Sequence, residues 1–325
     1  MLHRRALLGS AGTATLAASG ALAQTGAWPN RPVRIIVTFP PGGTTDILAR
    51  LMAERFARAT GGTFVVENRP GAGGVIGTDL VAKAAPDGTT LLLTTSGPHG
   101  SGPSLYPNLP FDPMGDFTHI ALVASTPNVL AARPEARYRS VADLVAAARA
   151  EPGRITYSSP GNGTLNHLNG ALLGLAADVN LVHVPYRGAA PALTALLAGD
   201  VDTMFDAIAS SAPHLRDGRI RALAVSSPQR IPAFPDVPTF VEQGLPDVVV
   251  LSWFGLSGPG GLPAPLAQRL NELTLRILHE PEMVQRLQDL GSTPNRMTRA
   301  DFTDFVANEI SKWRRVVQAA NIRLE

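Results

Sequence analysis

Backbone donors in three glycine-bearing turns are the groups of this chain best suited to chemistry. The turns span residues 41–44, 158–164 and 186–190, and each follows an apolar run and precedes a helical pattern. Such a turn leaves free N–H groups at the positive end of a helix dipole, which stabilises an anion without a charged side chain. Arg187 is the one cation in these turns, and its guanidinium either binds a carboxylate or points to solvent. The pattern indicates capture of an anion.

Two carboxylates lie beside these turns. Asp46 stands in the first turn of a predicted helix, where it orients the loop or contacts an amine on the ligand. Asp206 ends a predicted strand and either faces a cleft or caps the next helix. Together with neighbouring polar and aromatic positions, the predicted ligand-binding residues are Phe39, Pro41, Gly42, Gly43, Thr44, Asp46, Ser96, His99, Ser158, Gly161, Asn162, Gly163, Thr164, His167, Tyr186, Arg187, Gly188, Ala189, Ala190 and Asp206.

Catalytic, metal and nucleotide sites find less support in the residue spacing. Ser158 or Ser159 could form a hydrolase triad with His167 and Asp206, yet no Gly-x-Ser-x-Gly elbow contains either serine. The histidines lack the spacing of metal ligands. In the glycine run at 71–77, Ile76 occupies the place of the third glycine of a dinucleotide motif, so the run predicts a tight packing loop. No catalytic residue, metal or cofactor is predicted.

The N-terminal residues resemble an export signal. Arg4 and Arg5 precede a small, apolar stretch that ends in a small-x-small cleavage site at 21–23, so residues 1–23 are predicted to be removed. The general and the twin-arginine export routes both stay open. The chain has 28 basic and 26 acidic residues, and the two leader arginines account for the excess, which argues against a nucleic-acid surface. Cysteine is absent, which excludes disulfides and thiolate metal sites.

Strand-like runs alternate with helical patterns through most of the chain, which predicts parallel sheets covered by helices. The predicted strands are 33–39, 63–67, 90–95, 120–124, 128–132, 155–159, 181–184, 201–205, 220–226 and 248–256. The predicted helices are 45–58, 74–83, 141–150, 165–176, 191–198, 265–279, 282–290 and 299–319. Because the pattern restarts once, two α/β lobes are expected, 28–126 with 248–325 and 127–247, with a ligand in the cleft between them.

Several long motifs follow one another along the chain. They include Phe39-Pro40-Pro41-Gly42-Gly43-Thr44-x-Asp46, Glu67-Asn68-Arg69-Pro70-Gly71-Ala72-Gly73-Gly74, His183-Val184-Pro185-Tyr186-Arg187-Gly188, Asp202-x-Met204-Phe205-Asp206 and Trp253-Phe254-Gly255. The set resembles the Bug-type periplasmic solute-binding proteins of tripartite tricarboxylate transport systems, and the resemblance covers essentially the whole mature chain.

The resemblance implies a two-lobed periplasmic-binding-protein fold of type II-like character. Each lobe would be a mainly parallel sheet flanked by helices, and the lobes would close around a small carboxylate. It also implies that glycine-rich loops and ordered waters hold the acid, with Asp206 at the cleft floor. Two departures from the family pattern, Pro160 in the second loop and the segment 96–104, point to an unusual ligand, larger or more aromatic than citrate or aspartate.

The expected function is capture of a mono-, di- or tricarboxylate in the periplasm by a monomer. The ligand would pass to the membrane permease subunits of a tripartite tricarboxylate transporter. Delivery to a sensor kinase ectodomain stays open as an alternative. A hydrolase or isomerase acting on an organic acid is a second alternative, since orphan carboxylates could serve as acid or base.

Overall fold

The computed structural model describes residues 28–319 and residue 322, so the predicted leader lies outside the described residues. None of the described helices combines the length and the apolarity that crossing a bilayer requires. The strands are β1 (Val33–Val37), β2 (Phe64–Asn68), β3 (Thr90–Thr95), β4 (Phe117–Ala132), β5 (Thr156–Ser159), β6 (Val182–Pro185), β7 (Thr203–Ala207), β8 (Arg221–Val225), β9 (Leu251–Pro259) and β10 (Thr293–Pro294).

The helices alternate with these strands and then follow one another at the C-terminal end. They are α1 (Thr44–Thr60), α2 (Val75–Ala82), α3 (Gly102–Leu105), α4 (Val141–Ala150), α5 (Leu165–Ala177), α6 (Ala189–Ala198), α7 (Ile208–Arg216), α8 (Ala264–Leu278), α9 (Pro281–Asp289) and α10 (Arg299–Ala319). A π-helical turn, Gly97–Ser101, runs directly into α3.

The strands form one mixed sheet in the order β2-β1-β3-β9-β4-β7-β5-β6, and β8 and β10 also pair with β4. β1 is parallel to β2 and β3, and β5 is parallel to β6 and β7. Between these two parallel groups, β4 and β9 run antiparallel to each other and to their other neighbours. The predicted α/β class is confirmed, with parallel pairing at both ends of the sheet and antiparallel pairing where they join.

Three differences between the predicted and the observed elements bear on the site. The strands expected at 120–124 and 128–132 are one strand, β4, because the ladder with β9 continues through Pro127. No element was predicted within 97–113, but this segment begins with helical turns in spite of its glycines and prolines. Helix α7 was not predicted, and Pro213 lies inside it.

Apolar residues of β1 and α8 show how the first core forms. The strand is buried at every position except Arg34, as expected for a strand covered by helices on both faces. Leu270, Leu273 and Ile277 recur at helical spacing on α8 and belong to the same cluster as Val33 and Ile35. A separate cluster forms around β5 and β7. The turns predicted to bind the ligand therefore connect elements that pack into two separate hydrophobic cores.

The boundaries of the two lobes remain a prediction, and the pairing of β4 supports them. Its first part, as far as Pro127, pairs with β9, and from Asn128 onward it pairs with β7 and β8. One strand therefore pairs on both sides of the predicted boundary at 126/127, and its partners change close to that boundary.

Candidate functional site

A cavity lies where four helices begin. The first residues of α1, α5 and α6 border it, together with Ala207, the residue that precedes α7. The last residue of β3 and the start of β9 complete its wall. Its volume is about 50 Å³, which is room for more than one water molecule. The lining residues are Phe39, Gly43, Thr44, Thr45, Thr95, Ser96, Gly97, Pro160, Thr164, Leu165, Asn166, Ala189, Asp206, Ala207, Ser252 and Phe254. We call this the inner cavity.

Three of these four helices begin without a side-chain cap. α1, α6 and α7 have Gly43, Gly188 and Ala207 at the N-cap position, and none of them caps its helix with a side chain. On α5, Thr164 Oγ1 accepts a hydrogen bond from His167 N at 3.3 Å. The N–H groups in the first turn of a helix have no acceptor within the helix. The uncapped starts therefore offer backbone donors and a favourable dipole to an anion in the inner cavity.

Asp206 is the one charged residue in the inner cavity wall within the described part of the chain, and it is 3% exposed. Its Oδ2 accepts hydrogen bonds from Ser210 Oγ at 2.5 Å and from Ser211 Oγ at 2.9 Å. Burial raises the pKa of Asp206 to about 6, although the two serine hydrogen bonds act in the opposite direction. The carboxyl group therefore titrates close to neutral pH.

Hydroxyl and amide groups from β3, β9 and α5 also line the inner cavity. Thr95 Oγ1 is buried and has no hydrogen-bond partner among the described residues. Ser252 Oγ donates to Asn128 Oδ1 at 2.9 Å, and Asn166 Nδ2 donates to the same oxygen at 3.2 Å. Asn128 thus fixes two side chains of the wall, whereas the Thr95 hydroxyl is left for a ligand, since buried polar groups in proteins are nearly always paired.

Asp46 lies behind the first loop and does not border the inner cavity. Its Oδ2 accepts from Gly42 N at 3.1 Å and from Arg50 Nε at 2.9 Å, and its Oδ1 accepts from Asn68 Nδ2 at 3.0 Å. Burial alone would raise the pKa of Asp46, but the hydrogen bonds from Arg50, Asn68 and Gly42 lower it below its usual value. Of its two predicted roles, these contacts fit the orientation of the loop.

Hydrogen bonds join the two sides of the cleft around the inner cavity. Thr44 Oγ1 donates to Ser210 Oγ at 3.0 Å, and Tyr106 Oη donates to the carbonyl oxygen of Asn162 at 3.2 Å. The loop at Gly73 also comes close to the other side: a Cβ atom there would lie 2.4 Å from Tyr106 Oη and 2.6 Å from Asn162 O. Glycine at 73 thus permits the close approach of the two loops.

A larger cavity of about 810 Å³ opens outside the inner one. The glycine loop 71–74 forms one wall, and Tyr186 and Arg187 belong to the other. Phe39 and Pro160 border both cavities, so the two volumes are neighbours at the mouth of the cleft. Arg187 is exposed there. We call this volume the outer cavity.

The predicted site residues fall into three groups. Those bordering the inner cavity are Phe39, Gly43, Thr44, Ser96, Thr164, Ala189 and Asp206. Those bordering the outer cavity, or a third cavity beside α6 and α7, are Gly42, Gly161, Asn162, Tyr186, Arg187, Gly188 and Ala190. Those bordering none of the three are Pro41, Asp46, His99, Ser158, Gly163 and His167. Their roles in ligand binding remain predictions.

The two predicted histidines are packed into the interior. His167 stacks on His183 with ring centroids 4.0 Å apart, and burial lowers the pKa of His167 to about 4. Burial, with a smaller contribution from His167, lowers the pKa of His183 to about 3. His99 lies edge-on to Phe117 at 4.6 Å and is fully buried, and its burial holds its pKa well below the usual value. These rings are neutral at physiological pH.

Nine residues of the inner cavity were absent from the set of predicted ligand-binding residues, although Pro160 and Gly97 lie in segments that were expected to bear on the ligand. They are Thr45, Thr95, Gly97, Pro160, Leu165, Asn166, Ala207, Ser252 and Phe254. Ser252 and Phe254 flank Trp253 on β9, so the alternation of a strand places both on one face. The Trp253-Phe254-Gly255 motif was a signal for this wall. Ala207 was missed together with helix α7.

Comparison with known proteins shows similarity along nearly the whole described chain. The profile of the tripartite tricarboxylate transporter family receptor, TctC, matches residues 48–322. The periplasmic binding protein BugD is 34% identical, with a TM-score of 0.87 over 92% of this chain and 100% of BugD. The predicted resemblance to Bug-type proteins and the predicted two-lobed fold are confirmed.

Two further similar structures contain carboxylates. An R. palustris protein with adipate is 35% identical, with a TM-score of 0.89 over 91% of this chain and 99% of that protein. MatC from Rhodopseudomonas palustris with bound malate is 36% identical, with a TM-score of 0.85 over 89% of this chain and 100% of MatC.

Proposed function

The chain belongs to the tripartite tricarboxylate transporter family of receptors, and on that premise we propose that it captures a small carboxylate in the periplasm and delivers it to membrane permease subunits. One observation carries the proposal. The inner cavity lies at the start of four helices, three of them uncapped, and its described wall contains no lysine or arginine. Such a site attracts an anion through backbone dipoles. The adipate and malate of the two similar structures support a dicarboxylate.

Helix starts and hydroxyls together are strong enough for this task. A helix terminus contributes roughly 0.3–2 kcal/mol to a nearby anion, and a hydrogen bond to a charged group about 1.5–3 kcal/mol. Micromolar affinity corresponds to about 8 kcal/mol. Several helix starts combined with donors such as Thr44 and Thr95 therefore suffice without an arginine. A ligand with a distal group could extend into the outer cavity toward Arg187.

A binding role also agrees with the placement of the residues that could catalyse a reaction. The family and its solved neighbours are binding proteins. Ser159 Oγ and His183 Nε2 do lie 2.7 Å apart, as a nucleophile and base would. Neither residue borders the inner or the outer cavity, so this pair has no access to a ligand held there. We therefore assign this pair of residues a packing role beside the turn 158–164.

Thermal unfolding of residues 24–325 with a panel of aliphatic and aromatic carboxylates tests the proposal. A ligand at 100 times its dissociation constant stabilises by about 2.7 kcal/mol, which raises the unfolding midpoint by roughly 2–4 °C per kcal/mol. We expect shifts for a few acids only. The variant Ala189→Leu, which fills the inner cavity, should lose them, and Ala59→Leu, at an exposed position of α1 away from the cavities, should keep them. No shift for any acid, also after unfolding and refolding to remove a copurified ligand, would contradict the proposal.

A further inference from the structure

Asp206 is the acid that a ligand carboxylate must approach in the inner cavity. It also borders the third cavity, of about 220 Å³, whose walls come from α6, α7 and the turn after α7. The hydroxyls of Ser210 and Ser211 donate to its Oδ2, and none of the described side chains donates to Oδ1, so Oδ1 can carry a proton. No basic side chain pairs with Asp206 in the described part of the chain.

Few charged groups surround Asp206, and none of those in the described part of the chain forms an ion pair with it. From α1, Asp46 is held by Arg50 at 2.9 Å. From α7 and the turn that follows it, His214 and Arg219 border the third cavity and contact each other, with His214 Nδ1 and Arg219 Nη1 3.2 Å apart. The residues that α5, α6 and β4 place at these cavities and opposite Asp206 are uncharged. Arg219 keeps its positive charge in this contact, but it is exposed and does not border the inner cavity. A second negative charge in the inner cavity would therefore meet no cation in the described part of its wall.

Two carboxylates that share a small site do not both stay ionised. Like charges a few ångströms apart raise the pKa of one group strongly, and the pair then shares a proton. The inner cavity is small enough to impose this closeness, since its volume is about 50 Å³ and Asp206 is part of its wall. We propose that the protein takes up one proton with its carboxylate ligand. Asp206 carries this proton and uses it to donate a hydrogen bond to the ligand carboxylate. The inference rests on the proposed function.

The direction of the pH effect follows from the two states of Asp206. Without ligand, burial already raises the pKa of Asp206 to about 6, and a neighbouring carboxylate raises it further. When the pH exceeds the pKa of Asp206 in the free protein, Asp206 loses its proton, so ligand binding has to restore that proton. Affinity for an ionised carboxylate should therefore fall as pH rises. The fall should be about tenfold per pH unit between the pKa of Asp206 in the free protein and its higher pKa in the complex.

Isothermal titration calorimetry with the tightest-binding acid among succinate, adipate and malate tests this inference. Titrations from about pH 6 to about pH 9, where these acids are ionised, in buffer pairs of different ionisation enthalpy give both the affinity and the number of protons taken up. In the wild-type protein we expect uptake approaching one proton and the loss of affinity stated above. In Asp206→Asn, which keeps the shape without a titrating group, affinity should be independent of pH. His214→Gln, which removes the other titrating group near this site, should behave like the wild type.

The results of these titrations separate a failure of the proton-uptake inference from a failure of the proposed function. Tight binding without proton uptake, or the same pH dependence in Asp206→Asn, would overturn the inference and leave the proposed function intact. Loss of the pH dependence in His214→Gln alone would also overturn it. Preference for amino acids over amine-free acids, with no proton taken up, would show that an ionised Asp206 pairs with an ammonium group instead. Failure of all carboxylates to bind would overturn the proposed function as well.

Discussion

At the scale of single residues, the affinity of the site is expected to depend on small hydroxyls. Thr95 is the clearest case, because its Oγ1 is buried in the wall of the inner cavity without a partner among the described residues. A carboxylate oxygen would satisfy this hydroxyl, whereas Asp46 and Arg50 act one step away by holding the loop through Gly42. Contact with the ligand and support of the loop are thus assigned to different residues.

Thr95→Val should weaken carboxylate binding by about tenfold to a hundredfold. Valine matches threonine in shape but removes a hydrogen bond to a charged group, which is worth about 1.5–3 kcal/mol. The unfolding midpoint without ligand should not fall, since the hydroxyl makes no hydrogen bond within the described chain. Titration calorimetry measures the affinity. Thr303→Val, on α10 and away from the cavities, is the control. Equal affinity of Thr95→Val and the wild type would remove Thr95 from the site.

Which residues reach the cavity could be predicted only in part from the sequence. The sequence indicated four of them, Gly43, Thr44, Thr164 and Ala189, because a strand-to-helix turn indicates where a helix begins. His99 and His167 were not separable by type from ligand-contacting residues, because burial among aromatic rings depends on tertiary packing.

At the scale of elements, a glycine loop and a second loop meet across the cleft. Gly73 has a φ of 62° and lies against Tyr106 and the backbone of Asn162. Gly61, after α1, has a similar φ of 70°, but a Cβ atom added there would meet nothing within 4 Å. Replacing either glycine by alanine therefore strains the backbone to a similar degree. Only at position 73 would the added methyl group also clash with neighbouring atoms.

Gly73→Ala should weaken ligand binding, whereas Gly61→Ala should leave it unchanged. Both variants lose about 1–2 kcal/mol of stability, because alanine is strained at a positive φ. Only at position 73 does the added methyl group push the two loops apart and oppose closure over the ligand. Calorimetric affinity and thermal unfolding of both variants separate the effects. Equal affinities for the two variants would show that the loop contact plays no part in binding.

The elements themselves were predicted best where the local signal was strong. The bounds of α4 and α10 agree with the prediction, since α4 begins with a capping box formed by Ser140 and Asp143 and α10 carries a regular apolar stripe. α7 was missed because it is short, contains Pro213 and begins without a capping side chain. Its start at the cavity follows from the position of β7 in the sheet, which the sequence alone does not reveal.

At the scale of the whole molecule, one sheet runs through both halves of the protein. β4 and β9 are the strands that join the parallel groups, and Asn128 and Ser252, one on each strand, are hydrogen-bonded at 2.9 Å beside the inner cavity. Opening and closing would bend these two strands, while the separate cores on either side move as units. A ligand would favour the closed form only through contacts that the open form lacks.

A crystal structure of residues 24–325 with the tightest-binding acid of the panel tests the central claim most directly. We predict electron density for one carboxylate of the ligand in the inner cavity, within hydrogen-bond distance of the first N–H groups of α1, α6 or α7 and of Thr95 Oγ1. We also predict that the lobes are closed, with Thr44 and Ser210 in contact as described above. Ligand density only in the outer cavity, or elsewhere on the surface, would contradict the claim that helix starts between the lobes hold the acid.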